Sequence, residues 1–375
     1  MKLYFVAGEA SGDTHGAALM QVLRRSQPDI SFLGRGGPRM KQIAGGEFND
    51  WSESSSVLGL WEVLKQYGYF RRQFRATLAE IRANKPDAVV LIDYPGFNLR
   101  LARALRAQSP APRIIYYISP QVWAWNRRRI PRMARYLDLM LCIFPFEAEI
   151  YNQSGLRTIF VGHPMIEGLN ARRIAAARDP NLIGLFPGSR MREVRKILPV
   201  MLKSARQNLA RRPATRFEIA AASQTLEQEA RRMLAATDLP AEVVRITRGE
   251  ASATMQRAQA GMVASGTATL EAAYFRLPFV LVYRVAWLTY IAARLVVKVK
   301  HLGMPNVLAG REVVPEFIQH RARPRAIADA VLPLMQAGPE RERMLAGFDA
   351  VIATLGSDGA SVTAARAVLD EIGNS

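Results

Sequence analysis

Short apolar runs alternate with longer amphipathic segments from the first residue of the chain. Residues 3–7, 88–93, 114–118 and 139–144 have the length and composition of buried strands, and residues 16–25 and 99–107 have helical periodicity. The pattern restarts with strands at 182–186, 217–221, 261–264 and 279–283, separated by helices at 193–211 and 226–236. Strands that alternate with helices at this spacing predict parallel sheets with crossover helices, an α/β fold.

The restart divides the chain into two doubly wound, Rossmann-like domains. A chain of 375 residues exceeds the size at which single cores stop growing, about 250 to 300 residues. We predict an N-terminal domain at 1–170 and a C-terminal domain at 171–345, with a hinge in the polar stretch 171–180. Residues 346–375 are predicted to form a helical tail that packs on the first domain or on a partner chain.

The net charge of the chain is unusual. Lys and Arg exceed Asp and Glu by 51 to 32, which leaves +19. The positive electrostatic field of such a chain favours an anionic partner: nucleic acid, an anionic membrane leaflet or small phosphorylated substrates. A proteome that is rich in Arg throughout would give the same positive charge without any such partner. The arginines are dispersed and no nucleic-acid motif occurs, so nucleic acid is not expected as a partner.

Other classes of site and location are disfavoured by composition. The longest stretches without charge, 114–126 and 258–270, are well short of the roughly 20 residues that span a bilayer, and the N-terminus has no signal-peptide pattern, so a cytoplasmic protein is expected. Cys142, the single cysteine, lies in an apolar run and is predicted to be buried. Four histidines without ligand spacing predict no metal site, and no cofactor is expected.

A glycine turn at residues 8–13, Gly-Glu-Ala-Ser-Gly-Asp, joins the first strand to the first helix. Such turns bind polar or anionic ligands, but two carboxylates would repel a pyrophosphate, so a sugar fits better. We expect Glu9, Ser11 and Gly12 to contact an acceptor sugar. The alternative is a tight turn with an N-capping Ser or Asp.

Asp93 ends a predicted strand and precedes Tyr94-Pro95-Gly96. Its carboxylate is therefore expected at the carboxyl edge of a parallel sheet, where open α/β folds bind ligands and where a general base can accept a proton. Asp93 is the first candidate for this role, and Asp13 and His15 are the next. The alternative is an Asp that caps the turn before the proline.

Residues 119–126, Ser-Pro-Gln-Val-Trp-Ala-Trp-Asn, follow another strand and lead into three arginines. Trp123 and Trp125 are candidates for covering a sugar face, stacking on a base or lying at a membrane interface. Packing of both rings into the core is an equally good interpretation.

Two further strand-to-helix turns in the second half predict a nucleotide-diphosphate pocket. Gly188 and Ser189 present N–H groups and a hydroxyl, and Arg190 can bind a phosphoryl oxygen. The second turn supplies small and hydroxyl residues and an acid suited to ribose hydroxyls, namely Ser265, Gly266, Thr267 and Glu271. Neither turn has the Gly-Lys-Ser/Thr of a P-loop, which disfavours NTP hydrolysis.

Residues 57–72 and 285–300 combine aromatic and apolar side chains with basic ends. Each could lie in a bilayer interface, and the candidate contacts are Leu60, Trp61, Tyr69, Trp287, Tyr290 and Arg294. The pattern alone favours ordinary amphipathic helices of the core. The charge of +19 shifts the balance toward a membrane surface.

With these residues, the chain resembles the lipid A disaccharide synthase family. The resemblance rests on an ordered set of motifs at residues 8–13, 37–40, 92–98, 119–125, 144–147, 162–164, 187–190, 265–271, 304–306 and 315–316. It implies an inverting, metal-independent glycosyltransferase of family 19, with the GT-B fold of two Rossmann-like domains facing across a cleft. By this resemblance, the domain at 1–170 is the acceptor and membrane domain and the domain at 171–345 is the UDP-sugar-binding domain. A peptidoglycan-type transferase or a 2-epimerase of the same architecture is the alternative.

The resemblance also implies substrates and partners. The expected reaction, in lipid A and lipopolysaccharide synthesis, joins 2,3-diacylglucosamine from its UDP donor to the 6-hydroxyl of 2,3-diacylglucosamine 1-phosphate. The expected location is the cytoplasmic face of the inner membrane, and a homodimer with exchanged tails is possible. The resemblance assigns the base to Asp93 and donor contacts to Arg190, Glu271 and Asn306. Many relatives carry a second Asp where this chain has Gly96.

Overall fold

The computed structural model describes residues 1–46, 48–51, 67–287, 290, 300–356 and 359–373. Their contacts divide the chain into two compact units. The first unit comprises Met1–Pro164 and Leu355–Ser375, and the second comprises Met165–Thr354.

The first unit is built on a seven-stranded sheet in the order β3-β2-β1-β4-β5-β6-β7, with all neighbours parallel. Its strands are β1 (Lys2–Ala7), β2 (Ser31–Gly36), β3 (Phe48–Asp50), β4 (Ala88–Ile92), β5 (Arg113–Tyr117), β6 (Leu139–Cys142) and β7 (Thr158–Phe160). The helices are α1 (Ala10–Ser26), α2 (Pro38–Ala44), α3 (Tyr67–Asn84), α4 (Pro95–Arg106), α5 (Val122–Trp125), α6 (Ile130–Met133) and α7 (Pro145–Asn152).

Two hydrophobic clusters cover the two faces of this sheet. In β1 the side chains of Leu3, Phe5 and Ala7 belong to one cluster, and those of Tyr4 and Val6 belong to the other. Successive strand residues point to opposite faces, so a strand covered on both faces must be apolar at every position. This explains the continuous apolar runs in the sequence.

The second unit is built on a six-stranded sheet in the order β10-β9-β8-β11-β12-β13, again with parallel neighbours. Its strands are β8 (Asp179–Phe186), β9 (Arg216–Ala221), β10 (Val244–Arg248), β11 (Ala258–Ala264), β12 (Phe279–Tyr283) and β13 (Glu316–Ile318). The helices are α8 (Met165–Asn170), α9 (Met191–Arg211), α10 (Gln224–Ala235), α11 (Ala251–Arg257), α12 (Ala268–Tyr274), α13 (Met304–Ala309), α14 (Pro324–Val331) and α15 (Pro339–Thr354).

The last helix, α16 (Ala360–Gly373), belongs to the first unit. It packs on α1, and its apolar side chains Ala364, Ala365 and Val368 enter the core on that face of the sheet. Its buried Glu371 pairs with Arg157, which precedes β7. The C-terminal segment therefore completes the N-terminal core.

The prediction of two doubly wound α/β domains is confirmed. The first unit ends at Pro164 rather than at residue 170, because α8 packs on α12 and the Tyr274 hydroxyl donates a hydrogen bond to Asn170. The chain returns to the first unit at Leu355 rather than at residue 346, because α15 packs on α12 and α13 of the second unit.

Candidate functional site

The carboxyl ends of β1 and β4 lie side by side at the point where the strand order of the first sheet reverses. Ala7 of β1 pairs with Ile92 of β4, so the turn that begins at Gly8 and the turn that begins at Asp93 are neighbours. Open α/β sheets bind ligands in the crevice at such a switch point. The sequence analysis predicted that the glycine turn at residues 8–13 and Asp93 both lie at this edge, and the structure brings them together.

The backbone of Asp93 is fixed by three hydrogen bonds. Its N–H donates to Tyr117 O at 2.9 Å, and its carbonyl accepts from Asn98 Nδ2 at 2.9 Å and from the Tyr116 hydroxyl at 2.5 Å. Asp93 itself has a φ of 45°, in the left-handed region that few non-glycine residues adopt. Such strain is tolerated when the surroundings determine the conformation, as they do here.

The pKa of the Asp93 carboxyl group is raised toward neutral pH. Burial, followed by the negative charge of Glu9, raises the pKa of Asp93 from 3.8 to about 6, while the hydrogen bond from the Tyr94 N–H acts in the opposite direction. A general base is most effective when its pKa lies near the working pH. Asp93 has both the position and the basicity for that role.

Glu9 and Ser11 are exposed at the same edge. Glu9 occupies the N-cap position of α1 but makes no side-chain capping hydrogen bond. Its carboxylate is close enough to raise the pKa of Asp93. Both side chains are placed for hydroxyl groups of a ligand, and their roles in sugar binding stay predictions.

Gly8 has a packing role. A Cβ at this position would lie 2.4 Å from the ring of Tyr94. That ring also packs near Trp51 and Phe97, with centroid distances of 6.2 and 6.0 Å. Burial, followed by the charge of Glu9, raises the pKa of Tyr94 to about 12, so the phenol stays protonated. The glycine permits this aromatic wall beside Asp93.

Asp13, a candidate for catalysis, is instead used to hold α2. Its buried carboxylate accepts hydrogen bonds from the backbone N–H groups of Gly37 at 3.0 Å, Arg39 at 3.1 Å and Met40 at 2.9 Å. These are N–H groups at the start of a helix, which have no partner within the helix. The geometry therefore favours a structural role for Asp13 over the catalytic role.

Gly12, predicted to bind a sugar, is also buried. A Cβ at Gly12 would lie 3.3 Å from Ala7 Cβ, so this glycine faces β1 and allows close packing of helix on strand. This position favours packing over sugar contact.

His15 and His163 lie close together and are both neutral at neutral pH. Burial lowers the pKa of His15. Burial, followed by His15, lowers the pKa of His163 to about 4. His163 follows β7, and its backbone N–H donates to Leu355 O at 2.9 Å. Neutral imidazoles are suited to hydrogen bonding with a substrate rather than to charge stabilisation.

The two tryptophans have different environments. Trp123 is 5% exposed; its Nε1 donates to Glu147 Oε1 at 2.7 Å, and its ring meets that of Phe146 at 4.8 Å. Burial raises the pKa of Glu147 to about 7. Trp125 is 38% exposed and lies under the Arg129 guanidinium at 4.8 Å. The structure thus favours the core interpretation for Trp123 and leaves Trp125 accessible.

The second sheet repeats the arrangement at β8 and β11. These adjacent strands flank the switch point, and Phe186 pairs with Val263 just before the two glycine turns. Gly188 has a φ of 110° and Gly266 a φ of 139°, which L side chains rarely adopt. The predicted diphosphate segments are therefore neighbours on one sheet edge.

Ser189 and Arg190 are exposed at this edge. The Arg190 side chain is 63% exposed and lies 3.5 Å from Glu193 Oε1, a loose contact that leaves the guanidinium accessible to an anion. Tyr283, at the end of β12, is nearby: burial and Glu193 raise its pKa, and Arg190 opposes them. Sequence patterns did not single out Tyr283.

The turn after β11 presents further polar groups. Ser265 is half-buried and Thr267 is exposed, and Thr269 Oγ1 donates to Gly266 O at 2.8 Å, which fixes the turn. Burial raises the pKa of Glu271, and the nearby Arg172 acts in the opposite direction. The hydroxyl groups at this point suit a phosphate, and the carboxylate suits the hydroxyl groups of a ribose.

Asn306, expected to contact the donor, has no hydrogen-bonding capacity left. Its amide N–H groups donate to Val314 O at 2.8 Å and Glu316 Oε1 at 2.9 Å, and its carbonyl accepts from the N–H groups of Val313 at 2.7 Å and Val314 at 2.8 Å. An Asn amide has two donors and two acceptor positions, and all four are used. Glu316 also accepts from Gly303 N at 2.8 Å. Asn306 therefore fixes a loop and cannot bind a ligand directly in this conformation.

The candidate membrane contacts are only partly described. Leu60, Trp61 and Arg294 lie outside the described residues. Tyr69 is half-buried against Phe70, whereas Trp287 is 59% exposed and its ring meets that of Tyr290 at 5.8 Å. Within the described ranges, no helix has the length and apolar character needed to cross a membrane. The same residues contain no group of three or more His, Cys, Asp or Glu side chains arranged for a metal ion.

Comparison with known proteins identifies the family. A family model described as lipid-A-disaccharide synthetase matches residues 3–359. The chain belongs to the lipid-A-disaccharide synthetase family. The lipid-A-disaccharide synthase of Geobacter sulfurreducens is 39% identical over 380 residues, which cover 99% of this chain and 97% of that protein.

Two solved structures show the fold of this synthetase family member. UDP-GlcNAc 2-epimerase from Neisseria meningitidis bound to UDP-GlcNAc has a TM-score of 0.63 at 12% identity, covering 99% of this chain and 100% of that chain. CalG4, the calicheamicin glycosyltransferase, has a TM-score of 0.62 at 15% identity, covering 100% and 98%. At such low sequence identity, the structural likeness establishes the two-domain α/β architecture alone. The family match favours the synthetase over the epimerase and peptidoglycan-type alternatives.

Proposed function

We propose that this synthetase family member transfers 2,3-diacylglucosamine from its UDP donor to the 6-hydroxyl of 2,3-diacylglucosamine 1-phosphate. The products are the β-1,6 disaccharide 1-phosphate and UDP. The observation that carries the proposal is the partly buried carboxylate of Asp93, with a pKa of about 6, at the switch point of the first sheet in a chain of this family.

In the proposed reaction, Asp93 accepts the proton of the acceptor hydroxyl. The hydroxyl oxygen attacks the anomeric carbon of the donor sugar, and the bond from that carbon to the UDP oxygen breaks with its electron pair leaving on the diphosphate. A single displacement inverts the anomeric configuration. Glu9 supports the reaction by keeping the pKa of Asp93 high, and the neutral His15 is available for a hydrogen bond to the acceptor.

The donor is assigned to the switch point of the second sheet. Arg190 neutralises charge that develops on the departing diphosphate, and the turns at Gly188 and Gly266 supply N–H groups and hydroxyls. Glu271 is proposed to accept hydrogen bonds from the ribose. The loose pairing of Arg190 and the two positive-φ glycines support this assignment.

The same proposal includes a peripheral location on the cytoplasmic face of the inner membrane, where the anionic lipid surface is a partner. The net charge of +19 and the exposed ring of Trp287 support it. A homodimer is a further part of the proposal, since the contact that α16 makes with α1 is one that an identical chain could also provide.

The test of the reaction is direct synthesis of the disaccharide. The purified protein is incubated with radiolabelled UDP-2,3-diacylglucosamine and the 1-phosphate acceptor, and the lipids are separated and counted. We expect label in a disaccharide 1-phosphate and one UDP released for each disaccharide. Conversion of the donor without acceptor, or release of UDP without a disaccharide, would reject the proposed reaction.

A further inference from the structure

Six arginines line one pocket of about 790 Å³ in the first unit. Three lie on α4 and three lie in the segment that contains α6, and they are Arg100, Arg103, Arg106, Arg129, Arg132 and Arg135. In each set the arginines are three residues apart, a spacing that places helical side chains on one face. The pocket therefore has two arginine rows.

The charge of this arginine pocket is poorly compensated. Arg106 pairs with Asp138 at 2.6 Å. In the described part of the chain, the other five arginines have no carboxylate oxygen within the 4.0 Å of an ion pair. Like charges held together destabilise a fold unless an anion neutralises them. The accumulation indicates a binding function.

The two rows converge on Tyr136, which is half-buried. Burial raises the pKa of Tyr136, and Arg129, Arg103 and Arg132 oppose that effect, so these three guanidinium groups are close to its hydroxyl. Arg129 is also held over the Trp125 ring at 4.8 Å. Three of the pocket's arginines therefore lie around Tyr136, which lines the same pocket.

The arginine pocket begins beside the proposed base. Pro95 and Gly96, the first residues of α4, line its end, and Pro95 follows Asp93 by two residues. Two residues span at most about 7 Å. A Cβ built at Gly96 would meet open space, so no other described part of the first unit packs against this end of the pocket.

We propose that the arginine pocket binds the phosphate monoester of the acceptor glycolipid and thereby orients its 6-hydroxyl toward Asp93. This inference rests on the proposed function, and it names the phosphate subsite of that reaction. Guanidinium groups bind phosphate with paired N–H donors, and several of them suit a dianionic monoester better than the monoanionic diester of most membrane lipids.

Phosphates of the bilayer are the other source of the same chemistry. A concave pocket that starts at the base favours the acceptor, because a site for membrane attachment has no need to adjoin Asp93. If the pocket binds the acceptor, the KM depends on the acceptor's own phosphate; if it binds bilayer phosphates, the KM does not.

The test uses the double variant Arg103→Gln/Arg132→Gln, with Arg128→Gln as the matched control. Arg128 is exposed in the same segment but does not line the pocket. Initial rates are measured in detergent with short-chain 2,3-diacylglucosamine 1-phosphate and with the same lipid lacking the phosphate. Sedimentation with phosphatidylglycerol vesicles is measured on the same preparations.

We expect the double variant to raise the KM for the phosphorylated acceptor on the order of 10- to 100-fold, with the KM for the donor unchanged. With the dephosphorylated acceptor, the wild type is expected to lose a similar factor and the double variant to lose nothing more. Equal losses on both acceptors, an unchanged KM, or a loss confined to vesicle binding would overturn the subsite. Absence of disaccharide from the wild type and the Arg128→Gln control would instead overturn the proposed function.

Discussion

Replacement of Asp93 by Asn is expected to make the protein more stable while it removes activity. Folding raises the pKa of Asp93 from 3.8 to about 6, chiefly by burial, so the folded state disfavours the charged carboxylate. The cost is absent below pH 3.8, grows as the pH rises, and is complete above about pH 6. Asn has nearly the same shape and carries no charge, so it removes this cost.

The magnitude follows from the two pKa values. Their difference corresponds to about 3 kcal/mol at 1.36 kcal/mol per pH unit, which is the gain expected for Asp93→Asn at pH 8. At pH 5 most of the Asp93 carboxyl group in the folded protein is protonated, and the expected gain falls to about half of that value.

The assay is urea unfolding followed by tryptophan fluorescence at pH 8 and pH 5, on the wild type, Asp93→Asn and the exposed control Asp29→Asn. The control is expected to stay within about 0.5 kcal/mol of the wild type at both pH values. A carboxylate that merely capped the turn before Pro95 would give the opposite sign. Lower stability of Asp93→Asn at pH 8 would therefore refute the assignment of a tuned base.

Three other substitutions separate the roles assigned to charged residues. Glu9→Gln removes a charge that raises the pKa of Asp93, so the acidic limb of the kcat/KM profile should move from about pH 6 to lower pH, and an unmoved limb would remove Glu9 from the site. Asp13→Ala strands three backbone N–H groups and should cost on the order of 2 kcal/mol or more in urea unfolding; unchanged stability with lost turnover would return Asp13 to the catalytic candidates. Arg190→Ala should weaken UDP binding about tenfold by calorimetry relative to an Arg192→Ala control, and equal affinities would exclude Arg190 from the pocket.

The fold was predictable because its strands are buried on both faces. Runs such as 3–7, 88–92 and 279–283 are apolar at every position. This pattern can be recognised in the sequence without knowing which strands or helices pack against each run. The strands β3, β7 and β13 have three residues each and carry no measurable period. β10 was missed because the prediction relied on runs that are apolar at every position, whereas β10 is an edge strand that contains Arg245, Thr247 and Arg248.

The location of the candidate site was also predictable, because ligands of doubly wound sheets bind where loops follow the strands at the switch point. The state of each side chain was not predictable. The Asp13 carboxylate is hydrogen-bonded to the start of a helix at Gly37–Met40, which is distant in sequence. The Asn306 amide is hydrogen-bonded to residues 313–316, which lead into β13. Such partners are brought together only by folding.

The arginine pocket was likewise not predictable from the sequence. Along the chain its arginines are dispersed among many others and carry no motif. Only the packing of α4 beside the segment at residues 129–136 brings them to one pocket. A helical spacing of three residues within each row was the available signal in the sequence.

The most direct test of the central claim measures the rate of disaccharide formation by Asp93→Asn together with its affinity for UDP. If the carboxylate of Asp93 accepts the proton of the acceptor hydroxyl, the rate falls by roughly two to four orders of magnitude at pH 8, while UDP binding is unchanged. A variant that binds UDP normally and retains most of the wild-type rate would contradict the account, because the proton would then be accepted by another group.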